Sequence, residues 1–466
     1  MVRSGLCYPQ WCVAVTQSDL VPVRLLWLCL LVIPPACPQP AAEDFRPDRE
    51  HPRLLMPAAR QRLLRRETER RSMRWQQLET FLAANVPMPE PGMALALYYV
   101  ASGSRAHGRK AVEWALGQGN DLRQLALVYD WCQPLLTPAE SQRLAAKLRK
   151  LLAATTGEDL PAVRLRALAA IALAGVAPDL CERQLRFIVA DWWRGRIIPA
   201  LRKGQDVLRY DELHALYELF HVVRDNLNID LREEFKTHFA RLPLFYLLAH
   251  YPAPYPAAEN DYRVPIMEAH GEPDLRVAAL DRAAGLSMVS YDNNLLENQY
   301  VQGWLIQDRF LLRGPFGIPY EFLWANPYQP GLSFWLAPVG FHDPLGGRIL
   351  LRSGWQEDAT WFYYAADRSQ LFREGTIRRL EPGVLAEPLL LGSAMVIGRE
   401  AARQFRIEQE DAVTCHLVGL APRRKYEVEV DDEELAEAET DGGGILTLSF
   451  PAGRNAGVRL RQSRAR

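Results

Sequence analysis

Between Arg209 and Asn228 the chain reads RYDELHALYELFHVVRDNLN, in which Tyr210, His214, Tyr217, His221 and Arg224 follow one another at spacings of four, three, four and three. Wound at about 100° per residue, all five fall on one stripe of a helix. Leu213, Leu216, Leu219, Phe220, Val223 and Leu227 gather opposite them as a core face. The stripe holds the groups needed to take a proton from the carbon beside a carboxylate: phenols and imidazoles as acids or bases, and a guanidinium to neutralise the carboxylate. A free phenol with a pKa of about 10 is a poor base at neutral pH, and a nearby Arg or protonated His would favour its phenolate. That chemistry is elimination from a uronic acid, with Tyr217 or Tyr210 as acid or base, His214 and His221 as partners and Arg224 on the carboxylate. The same pattern also fits a polar helix face on the surface or under a neighbouring helix.

A second constellation runs from Gly314 to Asp343, where Phe316, Tyr320, Phe322, Trp324, Tyr328, Phe334, Trp335 and Phe341 stand among glycines and prolines. Aromatic rings stack on the apolar faces of sugars, so Tyr320, Trp324 and Tyr328 are expected to bind a glycan. Glu321, Asn326 and Gln329 would bond its hydroxyls. The competing expectation is that these rings pack one domain against another. His342-Asp343 has the makings of an acid/base or metal pair but reads better as a local turn, and Asp431 to Glu434 reads as a solvated turn. There is no phosphate-binding loop, dinucleotide fingerprint, HExxH or GxSxG, so no cofactor is expected.

These groups need large elements to position them. The 466 residues with 48% hydrophobic content allow two or three domains. A net charge of -1, from 55 basic and 56 acidic residues, lacks the footprint of a nucleic-acid binder. The basic run from Arg60 to Arg74 is interleaved with Glu67 and Glu69 and reads as a solvated helix face. Leu25 to Ile33, after Arg24 and before Pro34 and Pro35, has the size of a secretory apolar core and is too short to span a bilayer. Export is therefore expected, with the natural start near Val21 or Val23; Pro34 and Pro35 spoil the context for lipid attachment at Cys37. Beyond this leader only Cys132, Cys181 and Cys415 remain, too far apart in sequence for a disulfide framework, and they read as buried thiols.

The expected order is a leader over 1–44, a helical domain over 45–250, a Pro-rich linker over 251–273 and a β-sandwich over 274–466. Helical periodicity covers Ala58–Ala84, Gly92–Ser102, Arg105–Gly117, Asp121–Cys132, Pro138–Ala154, Leu160–Ala174, Pro178–Trp193 and Leu231–His250. Thr137 and Glu140 spell a capping box. Consecutive helices with short links and no fixed repeat suggest a toroid or an irregular bundle. Alternation then predicts strands at Leu305–Leu312, Arg348–Tyr364, Tyr426–Val430 and Ile445–Phe450, the last two separated by an acidic turn and Gly442 to Gly444. The fold class is thus α+β multidomain, an N-terminal α/α toroid in the form of an incomplete helical barrel followed by an antiparallel β-sandwich.

Three stretches, HPRLLMPAARQRLLRRE from His51, ALVYDWCQPLLTPAE from Ala126 and RILLRSGWQEDATWFYY from Arg348, resemble the heparinase II/III-like polysaccharide lyases. The resemblance implies an α/α toroid followed by a β-sandwich. It also implies β-elimination from uronic-acid polysaccharides by an Asn-His pair and a Tyr of the toroid and a His of the sandwich. The Tyr would match Tyr210 or Tyr217. The Asn-His pair would fall near Thr156, Gly157 and Glu158, where neither residue occurs, and no His lies between His342 and His416. The resulting expectation is an exported protein that interacts with an anionic or uronic-acid-containing polysaccharide on a lyase scaffold, with cleavage left open. The alternatives are an active lyase in which His214 and His221 replace the missing groups, and a structural or assembly protein with no glycan ligand.

Overall fold

The computed structural model describes residues 43–47, 50–253, 275–307, 314–432 and 434–463. The apolar run and Cys37 of the expected leader, most of the expected linker, and residues 308–313 lie outside them. Helices come first: α1 (Ala58–Glu69), α2 (Met73–Ala83), α3 (Pro91–Ser102), α4 (Arg105–Leu116), α5 (Leu122–Trp131), α6 (Pro138–Ala154), α7 (Leu160–Ala172) and α8 (Pro178–Arg186). A π-helical stretch, Phe187–Ile197, joins α8 to α9 (Ile198–Arg202), and α10 (Leu213–Leu227) and α11 (Lys236–Leu248) follow. Side chains set the starts. Asp121 and Asp159 accept from the amides of Gln124 and Ala162, and Thr137 and Glu140 form the expected capping box.

Three further helices, α12 (Leu275–Tyr291), α13 (Leu296–Gln307) and α14 (Ile318–Trp324), occupy sequence expected to be sandwich. The strand expected at Leu305–Leu312 is corrected over its first three residues, since Leu305 to Gln307 end α13, and its remainder lies outside the described residues. Eight residues of alternating pattern also fit the end of an amphipathic helix, and periodicity alone does not separate the two. With these helices the toroid closes. Along the chain α3 meets α5, then α7, α10, α12 and α14, and α14 returns to α3. Between them in sequence, α4, α6, α8 and α13 pack on ring helices from outside. Among the described residues no helix is long and apolar enough to cross a membrane.

Strands begin at Gly340. The first sheet is a meander of β1 (Gly340–Asp343), β2 (Arg348–Arg352), β3 (Trp361–Ala365), β4 (Arg368–Arg373) and β5 (Thr376–Leu380), in that spatial order. The remaining strands are β6 (Leu389–Leu391), β7 (Ala394–Gly398), β8 (Gln404–Glu408), β9 (Val413–Val418), β10 (Lys425–Val430), β11 (Glu434–Glu439), β12 (Leu446–Phe450) and β13 (Asn455–Gln462). They form two four-stranded sheets, ordered β12-β9-β7-β6 and β11-β10-β13-β8, antiparallel except where β7 runs parallel to β9. The expected acidic turn between Tyr426–Val430 and Ile445–Phe450 is corrected too: it contains β11, which pairs with β10 so that Val428 faces Ala436. Its Glu-Leu-Ala-Glu-Ala-Glu sequence lacks the apolar row of a half-buried strand, because β11 is an exposed edge.

Period-two alternation arranges the layers. Leu350, Trp361, Tyr363 and Phe372 of the first sheet share one core with the helices. Ile349, Leu351, Phe362 and Tyr364 point the other way onto Leu391, Val396 and Val418. A separate core, with Ile397, Cys415, Leu417, Tyr426 and Val458, joins the two four-stranded sheets. Cys132, Cys181 and Cys415 are buried and free, and burial pushes each thiol up to about 12.

Candidate functional site

Both faces of α10 are buried. As a ring helix it meets α7 on one side and α12 on the other, which covers His214, Tyr217 and His221, while Arg224 near its end stays 29% exposed. His214 is 4% exposed and Tyr217 and His221 are 1% exposed each. The expected catalytic stripe is therefore corrected from an accessible face to an internal one. Burial, only partly offset by Glu218, pushes the His214 pKa down to about 3, and burial with Arg60 beside it drives that of His221 well below its ordinary value. Burial raises the Tyr217 phenol well above its usual range despite Arg232 nearby. Arg224 stacks over Tyr291 at 3.7 Å and donates to the Tyr291 carbonyl, and Tyr210 stands in a short turn just before α10.

The aromatic constellation arrives at the same place. Ile318–Trp324, expected as loop, is helix α14, with Pro319 in its first turn where a missing N–H costs nothing. The His214 ring meets Tyr320 edge-on at 5.1 Å, and His221 lies 4.8 Å from Trp324. Tyr320 donates to Glu90, Glu321 accepts from Arg282 and Arg74, and Arg60 lies over Trp324 at 4.2 Å. Tyr320, Glu321 and Trp324 are buried, so the expected sugar-stacking surface is corrected to interior packing: an aromatic segment with a helical period buries its rings when a concave ring receives it. Asn326 accepts from the Tyr328 amide, and one face of Tyr328 is covered by Arg66 at 3.8 Å. At the centre Glu218 accepts from both Arg123 and Arg164, and Arg123 also reaches Glu90. The two constellations thus meet one another and fill the ring.

Open space lies at one mouth of the ring, where α7 and α10 begin. A groove of about 750 Å³ is bounded there by Asp159, Trp192, Arg196, Lys203, Arg209 and Glu212. Its wall includes Glu158, so the loop where the resemblance implied an Asn-His pair does border the opening. Glu158 is paired with Arg196, and Arg209 forks onto Asp211. Lys203 has no acidic partner among the described residues. Burial and the neighbouring Asp211 raise the Glu212 carboxyl.

On the far side of the Lys203–Arg209 loop a smaller cavity of about 60 Å³ sits where α10 and α11 meet the first sheet. Tyr210 lines it, the one member of the expected stripe to do so, together with His238, Arg241, Asp343 and Arg348. Burial lowers the His238 pKa, helped by Arg348 and Arg241 and opposed by Asp343. Arg348 already holds Asp343 at 3.2 Å and Asp206 at 3.5 Å, so both carboxylates at the cavity are engaged. Gln205 borders both spaces. Gly204 carries the loop past the sheet at φ +76°, and a Cβ there would come within 2.0 Å of the Leu345 carbonyl oxygen.

Sequence reasoning missed Asp159, Arg196, Lys203, Arg209, Glu212 and His238; Arg196 stands near the end of the π-helical stretch and the others stand in loops or at helix starts with no periodic signal, so the absent Asn-His pair was the only pointer to that mouth. Among the described residues no group of three or more His, Cys, Asp or Glu side chains is placed to hold a metal ion. No protein-family model matches the chain, and no curated protein matches it. Among solved structures, a glycoside hydrolase aligns over 80% of this chain and 71% of its own, at 9% identity and a TM-score of 0.31.

Proposed function

We propose that the protein binds a glycan bearing carboxylate groups in the groove at the ring mouth and does not cleave it by elimination through the α10 stripe. The observation that carries this reading is the groove itself: about 750 Å³ of open space in which Asp159 and Glu212 supply acceptors beside donors from Arg196, Lys203 and Arg209. Sugar hydroxyls need both kinds of partner at short range, and a mixed lining serves them better than a field of one sign. Lys203 is the cation left for a ligand carboxylate, because Arg196 and Arg209 are engaged by neighbouring acids. Elimination needs a base that touches the substrate. His214, Tyr217 and His221 lie under Tyr320, Trp324 and Tyr291 instead. Export, read from the Arg24-flanked apolar run, would bring such a protein to its polysaccharide.

Calorimetric titration with a panel of uronic-acid polysaccharides tests the reading. Binding should weaken by about tenfold or more in Lys203→Met, the worth of one charge-assisted contact. Ultraviolet absorbance of the mixtures should stay flat, since no unsaturated ends form. Absence of binding across the panel would sink the proposal, and rising absorbance that survives Tyr217→Phe would move the chemistry to the cavity beside Tyr210 and His238.

A further inference from the structure

Two strand edges of this chain carry opposite charge. β5 ends the first sheet and pairs with β4 alone among the described residues. Its Arg378 and Arg379 are exposed. β11 ends another sheet and pairs with β10 alone among the described residues, with Glu437 and Glu439 exposed and Leu435 71% exposed. The outer backbone groups of such strands form a template for one more strand, and proteins commonly place charge there to prevent pairing. Here the signs differ between the two edges, which changes what is prevented. Setting β5 against β5 brings Arg onto Arg, and β11 against β11 brings Glu onto Glu. Only the unlike pair attracts.

We infer that copies of this chain associate head to tail, the β5 edge of one adding to the β11 edge of the next. The strand patterns agree with such a joint. Ile377 and Arg379 share one face of β5, and Leu435 and Glu437 share one face of β11. Aligned in parallel, Ile377 lies beside Leu435 and Arg379 beside Glu437, so the exposed leucine gains an apolar neighbour. Lys425, which holds Glu437 at 3.2 Å within the chain, is exposed and is the contact that an incoming Arg would displace or share. Because the two patches differ, the contact is heterologous, and each added copy leaves a free edge at either end of the assembly.

Sedimentation of the full chain across a concentration series reads this directly. The weight-average mass should rise with concentration at 0.01 M salt, where the screening length is about 30 Å, and fall to that of one chain at 1 M, where it is about 3 Å. The double variants Arg378→Glu/Arg379→Glu and Glu437→Arg/Glu439→Arg should each stay single-chained at low salt. Mixed in equal amounts they should associate again, since each then meets an edge of opposite sign. That recovery excludes misfolding as the reason for the loss. A wild-type chain that stays single at every concentration, or association that either double variant leaves intact, would overturn the inference, as would a mixture that fails to recover while both variants keep the wild-type circular dichroism.

Discussion

The carboxylate of Glu218 is the residue on which the ring interior depends. It is fully buried and accepts from Arg123 at 2.6 Å and Arg164 at 2.8 Å; although burial pushes its pKa up, Arg123 and its neighbours hold it well below the usual range. Glu218→Gln leaves two guanidiniums facing a neutral group and should cost about 3–5 kcal/mol in urea unfolding. A second expectation concerns acid. His214 and His416 have pKa values pushed down by burial to about 3 and about 4, against an ordinary value of 6.5. The unfolded chain takes up protons near pH 6.5 that the folded chain refuses until near pH 3–4. Stability should therefore be complete above pH 6.5 and fall as pH drops below it, by about 1.4 kcal/mol per unit for each such His. His214→Phe, which keeps a ring against Tyr320, should flatten that slope between pH 6.5 and 4; an unchanged slope would mean that His214 titrates freely in the fold. The stripe's spacing was legible in the sequence, but its burial was not: the rings that cover His214 and Tyr217 come from Tyr320 and Tyr291, roughly 70 to 100 residues further along the chain.

Helix by helix, the first part of the chain was legible because each element carries its own start signal and apolar row, as Thr137, Glu140 and the leucines of α6 do. The helices α12 to α14 were not, because they carry no such marks: α12 and α13 are buried around much of their circumference with polar residues such as Arg282 and Gln302 among the buried ones, and α14 has only seven residues. What α14 lacks in length it makes up in contacts, since Trp324 touches His221 and His214 of α10 and Arg60 of α1. Trp324→Ala should thus remove about 3–5 kcal/mol of stability by opening a void in the ring. Glycan affinity at the groove should not change, since Trp324 does not line it. A loss of affinity at intact stability would return the aromatic segment to the binding site. The Lys203–Arg209 loop presents the complementary case. Gly204→Ala forces a Cβ onto the Leu345 carbonyl oxygen and should lift the loop from the sheet, increasing proteolysis there and weakening binding while the ring stays folded.

For the molecule as a whole, the order of helices then sheets was readable from the change of period, whereas the way they join was not, because it depends on single side chains crossing the seam. Trp361 of β3 donates to the Leu248 carbonyl at 2.7 Å and meets Tyr251 edge-on, and the Tyr251 ring stacks on Phe372 of β4. Through these contacts the first sheet belongs to the same core as the ring, while the two four-stranded sheets enclose a core of their own. Wild-type unfolding followed by helical circular dichroism and by tryptophan fluorescence should therefore give one shared midpoint, since nearly all the tryptophans among the described residues lie in the ring or its seam. Trp361→Ala removes the indole that joins both layers, and its cost falls at the seam rather than within the ring. Its first sheet should then loosen ahead of the helices, so that the fluorescence of Trp355 changes at a lower denaturant concentration than the helical signal. If the two midpoints stay together in the variant, Tyr251 and the Arg348 ion pairs are enough to bind sheet to ring, and the coupling is spread across the seam instead of resting on one side chain.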